Sequence, residues 1–250
     1  MSAPARFLGT LGFLSRLAPA RVLPEADLRR MMFHLPLCGL VIGAVIVLAI
    51  GAPAALGLLA GRPLVLAWLA VALLAWVTRG LHLDGLADVA DGAAAHVEPE
   101  RFWAIIKDSR SGAFGVAAMV LALGGQGVLF GEMLKDGHWW GVIWAVVFGR
   151  CCAVVFGFTA RAHVRPGLGG LFLAGATPAA TAWAVAAALA PALWLRPLAA
   201  AWAVALALAA LTPLRRLVTA VGGVNGDFLG AAITIGELCA GLGFVLAATV

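Results

Sequence analysis

Residues 79–92 read RGLHLDGLADVADG and follow directly on an apolar run long enough to cross a bilayer. The chain holds only 12 acidic residues, yet this one stretch carries Asp84, Asp88 and Asp91. On an α-helix their offsets fall at about 0°, 40° and −20° around the axis, so a single face presents all three carboxylates. Like charges that close raise one another's pKa unless a cation stands among them, and one or two divalent ions held by oxygen ligands keep them ionised most simply. Such a face suits Mg²⁺ and, through it, a diphosphate. The bland alternative is a solvated helix face or an N-cap. Against it stand the apolar flanks, and Gly85 and Gly92, which each cost about 1 kcal/mol of helix propensity relative to Ala with no visible structural return.

Outward from this motif, the composition sets the class. Of 250 residues 63% are hydrophobic and 12% charged, and the mean hydropathy is +1.03, which describes an integral membrane protein. The net charge of +5 does not indicate a nucleic-acid partner, because the Arg residues are scattered between apolar runs. Cys38, Cys151, Cys152 and Cys239 all lie inside apolar runs, without C-x-x-C or useful His spacing, and read as small buried residues.

The pattern predicts an all-α bundle of about seven spans in one catalytic domain, with a partner lipid bilayer and room for a homo-oligomer. Residues 1–30 form an N-terminal segment in which Phe7, Leu8, Leu11, Leu14 and Leu17 follow helical spacing. Arg16 interrupts what would otherwise resemble a signal peptide, so an interfacial amphipathic helix is expected. Spans are expected near 32–50, 63–78, 113–134, 139–160, 179–195, 197–211 and 228–250, with a surface helix between 97 and 110 marked by Phe102, Ile105 and Ile106. The Ala-rich fifth and sixth spans read as packing elements.

Two further segments carry chemistry beside the Asp motif, so that 79–112 and 214–227 are the site-bearing loops. In KDSRSGAFG (107–115), Lys107 and Arg110 bracket Asp108, while Ser109 and Gly112 open the next helix, a combination that suits a phosphate. An ordinary capped helix start with snorkelling cations would look the same. In GGVNGDFLGAAITIGE (222–237), Asn225, Gly226 and Asp227 stand before the last span, either as a phosphate cradle or with Asp227 as a plain N-cap. The GLGG stretch at 167–170 is compatible with a ligand approach or a turn. Arg150 and Glu237 lie within spans, where an unpaired charge costs at least about 2.5 kcal/mol. Counting about 1.5 Å per residue from opposite faces puts both at one depth, so the two are expected to pair or to line a polar cavity together.

Thirteen of the 17 cations fall on the side that carries the N-terminus and the motif-bearing loops. By the positive-inside rule that side is cytoplasmic, which places a multi-pass protein in the cell (inner) membrane with its site facing the cytoplasm.

HLDGLADVADG (82–92), KDSRSGAFG (107–115), GLGGLF (167–172) and GDFLGAAITIGEL (226–238), together with FLSRLAP and PLCGLVIG nearer the N-terminus, resemble the cobalamin synthase family, also called adenosylcobinamide-GDP ribazoletransferase. The likeness covers most of the chain in order; Asn225 departs from the Thr usual before Gly-Asp. It implies the last step of vitamin B12 assembly, in which ribazole or its 5′-phosphate displaces GMP from adenosylcobinamide-GDP with Mg²⁺. Asp84, Asp88 and Asp91 would hold the metal and Lys107 and Arg110 the non-bridging oxygens. His82 would serve as general base only if the helix begins after it, since within the helix it lies about 160° from Asp84. Competing readings are a CDP-alcohol phosphotransferase and a secondary transporter using Arg150 and Glu237; the first lacks its expected Asp spacing here, and the two halves of the chain are unlike.

Overall fold

The computed structural model describes residues 2–94, 98–108 and 110–248. Among these it is all-α, with no strand: α1 Ala3–Leu14, α2 Glu25–Leu28, α3 Met31–Ala55, α4 Pro63–Val77, α5 Leu81–Ala94, α6 Pro99–Ile106, α7 Ala113–Lys135, α8 Trp139–Ala160, α9 Leu168–Leu173, α10 Pro178–Leu195, α11 Pro197–Ala220 and α12 Gly226–Leu246. One isolated parallel bridge joins Val164 to Val224.

Five helices, α3, α7, α8, α11 and α12, are long and apolar enough to cross a membrane. The expected count of seven is reached only by adding α4 and α10, which are shorter. At 15 residues α4 rises about 22 Å, less than a hydrocarbon core of about 30 Å. It continues into α5 through a bend of 86° rather than straight on. Residues Arg79 (φ 57) and Gly80 (φ 69) make that corner in the left-handed region, which Gly adopts freely and Arg does not. The α11 helix runs on through Pro213 to Ala220, so the expected loop at 214–227 is helical for its first half.

The corner is braced by two arginines. Arg79 donates to the carbonyls of Gly12, Phe13 and Ser15 at the end of α1, while Arg16 donates through its backbone N–H to Val77 and through Nε to Trp76 at the end of α4. Each helix terminus thus lends a cation to the orphan carbonyls of the other.

Helix α8 is the centre of the bundle, packed by α3, α10 and α12, and α12 in turn meets α5, α7 and α11. Small residues allow the closest crossings. A Cβ on Gly236 would stand 2.8 Å from the Gly149 Cα, so α8 and α12 approach backbone to backbone. All four cysteines are buried and free. In α6 Phe102 is buried and Ile105 and Ile106 are half-buried, with Ile106 packed against the core, so the expected stripe is present and is widened by the buried Trp103.

Candidate active site

Because α5 is turned by 86° from α4, it packs against α7 and α12 at their first turns, where Gly115 and Asp227 meet it. Gly85 makes that crossing possible: a Cβ there would stand 2.7 Å from the Asp227 carbonyl oxygen. Gly92 similarly accepts the ring of Phe102, to which a Cβ would come within 2.7 Å. These two glycines, costly to a helix by propensity, have their return in packing.

The crossing brings a fourth carboxylate to the motif. Asp88 is pushed from 3.8 up to about 6, first by burial and then by the charges of Asp84, Asp227 and Asp91. Asp227 is not the N-cap of α12; that position belongs to Asn225, whose Nδ2 donates to Asp227 Oδ2 at 2.6 Å. No basic side chain pairs with Asp84, Asp88 or Asp227 among the described residues. A cleft of about 440 Å³ opens beside Asp84, between Phe13, the 78–83 corner and Met119.

Asp91 behaves differently from the expectation that grouped it with the metal ligands. Its two oxygens accept the N–H groups of Gly112 and Gly115 at 2.7 and 2.8 Å, closing the N-terminus of α7. Gly112, expected to belong to a phosphate-binding segment, gives its N–H to Asp91. Arg110 is likewise engaged: it folds back on Asp108 through Nε and Nη2, the latter at 2.7 Å, and this pairing lowers the Asp108 carboxyl to about 2. Lys107 stands exposed after α6. Ser109 lies outside the described residues.

His82 is inside α5 and turned away from the carboxylates. It is buried, and its Nδ1 accepts from Arg150 Nη2 at 3.3 Å, while Nε2 has no partner. Arg150 is paired with Glu237, both almost wholly buried, and Gln126 Nε2 donates to the other Glu237 oxygen at 2.6 Å. The expected pairing of Arg150 with Glu237 is therefore present, and a cavity of about 10 Å³ touches His82, Gln126, Thr234 and Glu237. Gln126 was not singled out in the sequence, although a polar amide in mid-span is itself the signal. An apolar cavity of about 370 Å³ between α8, α10 and α11 contains no acid.

Divalent metal is tested by this donor set. Among the described residues no group of three His, Cys, Asp or Glu side chains stands ready-made around one ion. Asp84, Asp88 and Asp227 are nevertheless hard oxygen donors with uncompensated charge, and Mg²⁺ is normally held by one or two carboxylates plus waters and substrate phosphates rather than by a closed protein cage. The chemistry of these donors fits such an ion, while the Asp91 oxygens are already engaged by the N–H groups of Gly112 and Gly115.

The sequence profile of a family described as cobalamin-5-phosphate synthase matches residues 6–245. The chain is 46% identical over 237 residues to an adenosylcobinamide-GDP ribazoletransferase of Nitratidesulfovibrio vulgaris (strain Miyazaki F), covering 94% of this chain and 93% of that one. It is similar to proteins of the same name from Novosphingobium aromaticivorans, at 39% identity with 92% of each chain covered, and Klebsiella pneumoniae (strain 342), at 35% with 93% and 96% covered. No solved structure matches the chain.

Proposed function

The chain belongs to the cobalamin-5-phosphate synthase family, and from that premise we propose that it joins α-ribazole, or α-ribazole 5′-phosphate, to adenosylcobinamide-GDP with release of GMP, closing cobalamin biosynthesis. We further propose that the reaction uses Mg²⁺ and takes place on the cytoplasmic face of the cell membrane. The observation that carries the site assignment is the convergence of Asp84, Asp88 and Asp227 without a counter-cation, at the end of the bundle where the cationic loops gather.

In the reaction a ribose hydroxyl oxygen forms a bond to the phosphorus on the cobinamide side, and the bond from that phosphorus to the bridging oxygen breaks, so that GMP leaves with the bridging oxygen. Asp84, Asp88 and Asp227 would hold Mg²⁺ against the diphosphate. When bound, the ion supplies charge neutralisation and a template for in-line displacement. Asn225 fixes the Asp227 carboxylate through its amide, and Asp91 fixes α5 against the start of α7, so the carboxylates are held by neighbouring backbone rather than left on a free loop. Lys107 is exposed and without a carboxylate partner among the described residues, whereas Arg110 reaches a phosphate only by leaving Asp108. Since His82 faces Arg150, the hydroxyl proton passes to a carboxylate of the cluster.

Purified protein in liposomes, supplied with adenosylcobinamide-GDP and ribazole, should release GMP in proportion to Mg²⁺. Absence of GMP release with either form of ribazole sinks this reading. Release of CMP from a CDP-alcohol, or ion flux without chemistry, would instead point to the two competing classes.

A further inference from the structure

We propose that the paired segments 163–165 and 223–225 form the seat of the incoming nucleotide, with Arg165 as the partner of its 5′-phosphate. This inference rests on the functional reading above. The segments are clipped by two backbone hydrogen bonds, Arg165 N–H to the Val224 carbonyl at 3.1 Å and Val224 N–H to the His163 carbonyl at 2.8 Å. Val164 and Val224 pair in the bridge and share one side, so the flanking Arg165, Gly223 and Asn225 turn to the other, while His163 closes the 3₁₀ turn Arg161–His163 just before it. The first side is apolar, with Val224 fully buried. On the second, the stem of Arg165 lies over Gly223, where a Cβ would meet its Cγ and Cδ at 2.6 Å.

The second side has the features of a recognition surface. The Arg165 guanidinium lies 4.1 Å from the ring centroid of Trp103, whose own indole N–H is fixed by the Val221 carbonyl at 2.9 Å. No carboxylate pairs with Arg165 among the described residues. A guanidinium stacked by its flat face keeps its edge N–H groups for a planar, two-point contact with an anion, which suits a phosphomonoester. Within the same two segments, His163 Nδ1 and Asn225 Oδ1 are buried without partners. Orphaned buried polar atoms are rare in folded proteins and mark places where something else binds; an amide oxygen and an imidazole nitrogen suit sugar hydroxyls.

The placement also separates this seat from the diphosphate. Asn225 donates one N–H of its side-chain amide to Asp227 Oδ2, so the clip abuts the carboxylate cluster at that residue. The cluster is negative and takes a diphosphate only with a cation, whereas the clip brings its own cation. The product in the family's description carries a 5-phosphate, so the acceptor arrives with one phosphomonoester for that cation to hold.

The test compares α-ribazole 5′-phosphate with unphosphorylated α-ribazole in the full-length protein in liposomes, using wild type, Arg165→Met and Arg165→Lys. Loss of a charge-assisted contact predicts that Arg165→Met lowers the ratio of kcat/KM for the phosphorylated over the unphosphorylated acceptor by about 10- to 100-fold, mostly through KM, with Arg165→Lys recovering part of it. Calorimetric titration of α-ribazole 5′-phosphate into detergent-purified protein should show the same weakening without turnover. An unchanged ratio, an equal loss for both acceptors, or a rise confined to the KM of adenosylcobinamide-GDP overturns the assignment, the last moving the seat to the leaving nucleotide. A wild type that turns over and an Arg165→Met protein that keeps its ratio sinks the clip alone; a wild type that releases no GMP sinks the functional reading itself.

Discussion

Arg150 of α8 donates to the carboxylate of Glu237 in α12, deep inside the bundle where neither side chain meets solvent. Removing one partner leaves the other as an uncompensated buried charge, so Glu237→Gln is expected to destabilise the protein by about 3–5 kcal/mol. Combined with Arg150→Met the loss should be much less than additive, as read by unfolding in detergent. Strictly additive losses would show that the two do not interact.

Asp84, Asp88 and Asp227 should separate from Asp91 in their failure. Asn at any of the first three keeps size while removing a hard anionic ligand, so GMP release should fall by at least about 100-fold without a loss of melting temperature. Asp91→Asn weakens two charge-assisted contacts to the start of α7 and should lower stability by about 1–2 kcal/mol. Excess Mg²⁺ should not rescue it. Four variants with the same stability and the same residual turnover would put Asp91 back among the ligands.

The pH dependence of stability follows from Asp88. Its carboxyl is raised from 3.8 to about 6, chiefly by burial and then by Asp84, Asp227 and Asp91. An acid raised on folding contributes stability that is full below about pH 4 and lost as pH climbs through about 6. Metal-free protein should therefore lose thermal stability across that window, and added Mg²⁺ should restore more at about pH 8 than at about pH 5. Asp88→Asn should flatten the profile. A Mg²⁺ effect of equal size at both pH values counts against the cluster as its binding place.

Gly85→Ala tests the crossing itself. The added Cβ would meet backbone, 2.7 Å from the Asp227 oxygen and 2.9 Å from its Cα, with no flexible side chain to give way. Overpacking of this kind costs about 1–3 kcal/mol and pushes α5 away from Asp227. Activity should fall further than in Gly92→Ala, where the obstacle is the ring of Phe102. The comparison is read by GMP release at matched folded fraction.

Much of this arrangement was legible in residue order. Apolar length and the scarcity of charge gave the class and most helices, and the 0, 4, 7 spacing put three aspartates on one face of what is indeed a helix. Arg150 and Glu237 were paired by depth alone, because charge in hydrocarbon leaves few options. What stayed hidden depended on contacts distant in sequence. That Asp91 caps α7, that Asp227 joins the clustered acids, and that His82 faces Arg150 follow from the direction of α5 after the corner, which periodicity does not encode. Asp88 and Asp91 share a helix face, but only tertiary packing decides which of them finds backbone N–H groups first.

The exchange of arginines between the ends of α1 and α4 gives the corner a second meaning. Arg79 holds three carbonyls of the N-terminal segment and Arg16 holds two of the turn before the acids, so the segment works as a bracket bolted to the joint from which the acid-bearing arm projects. Shortening the chain to its first long span, a common economy when membrane proteins are prepared, would remove that bracket and leave the arm without its fixed angle. Such a trimmed protein should still insert, and be inactive for a mechanical reason.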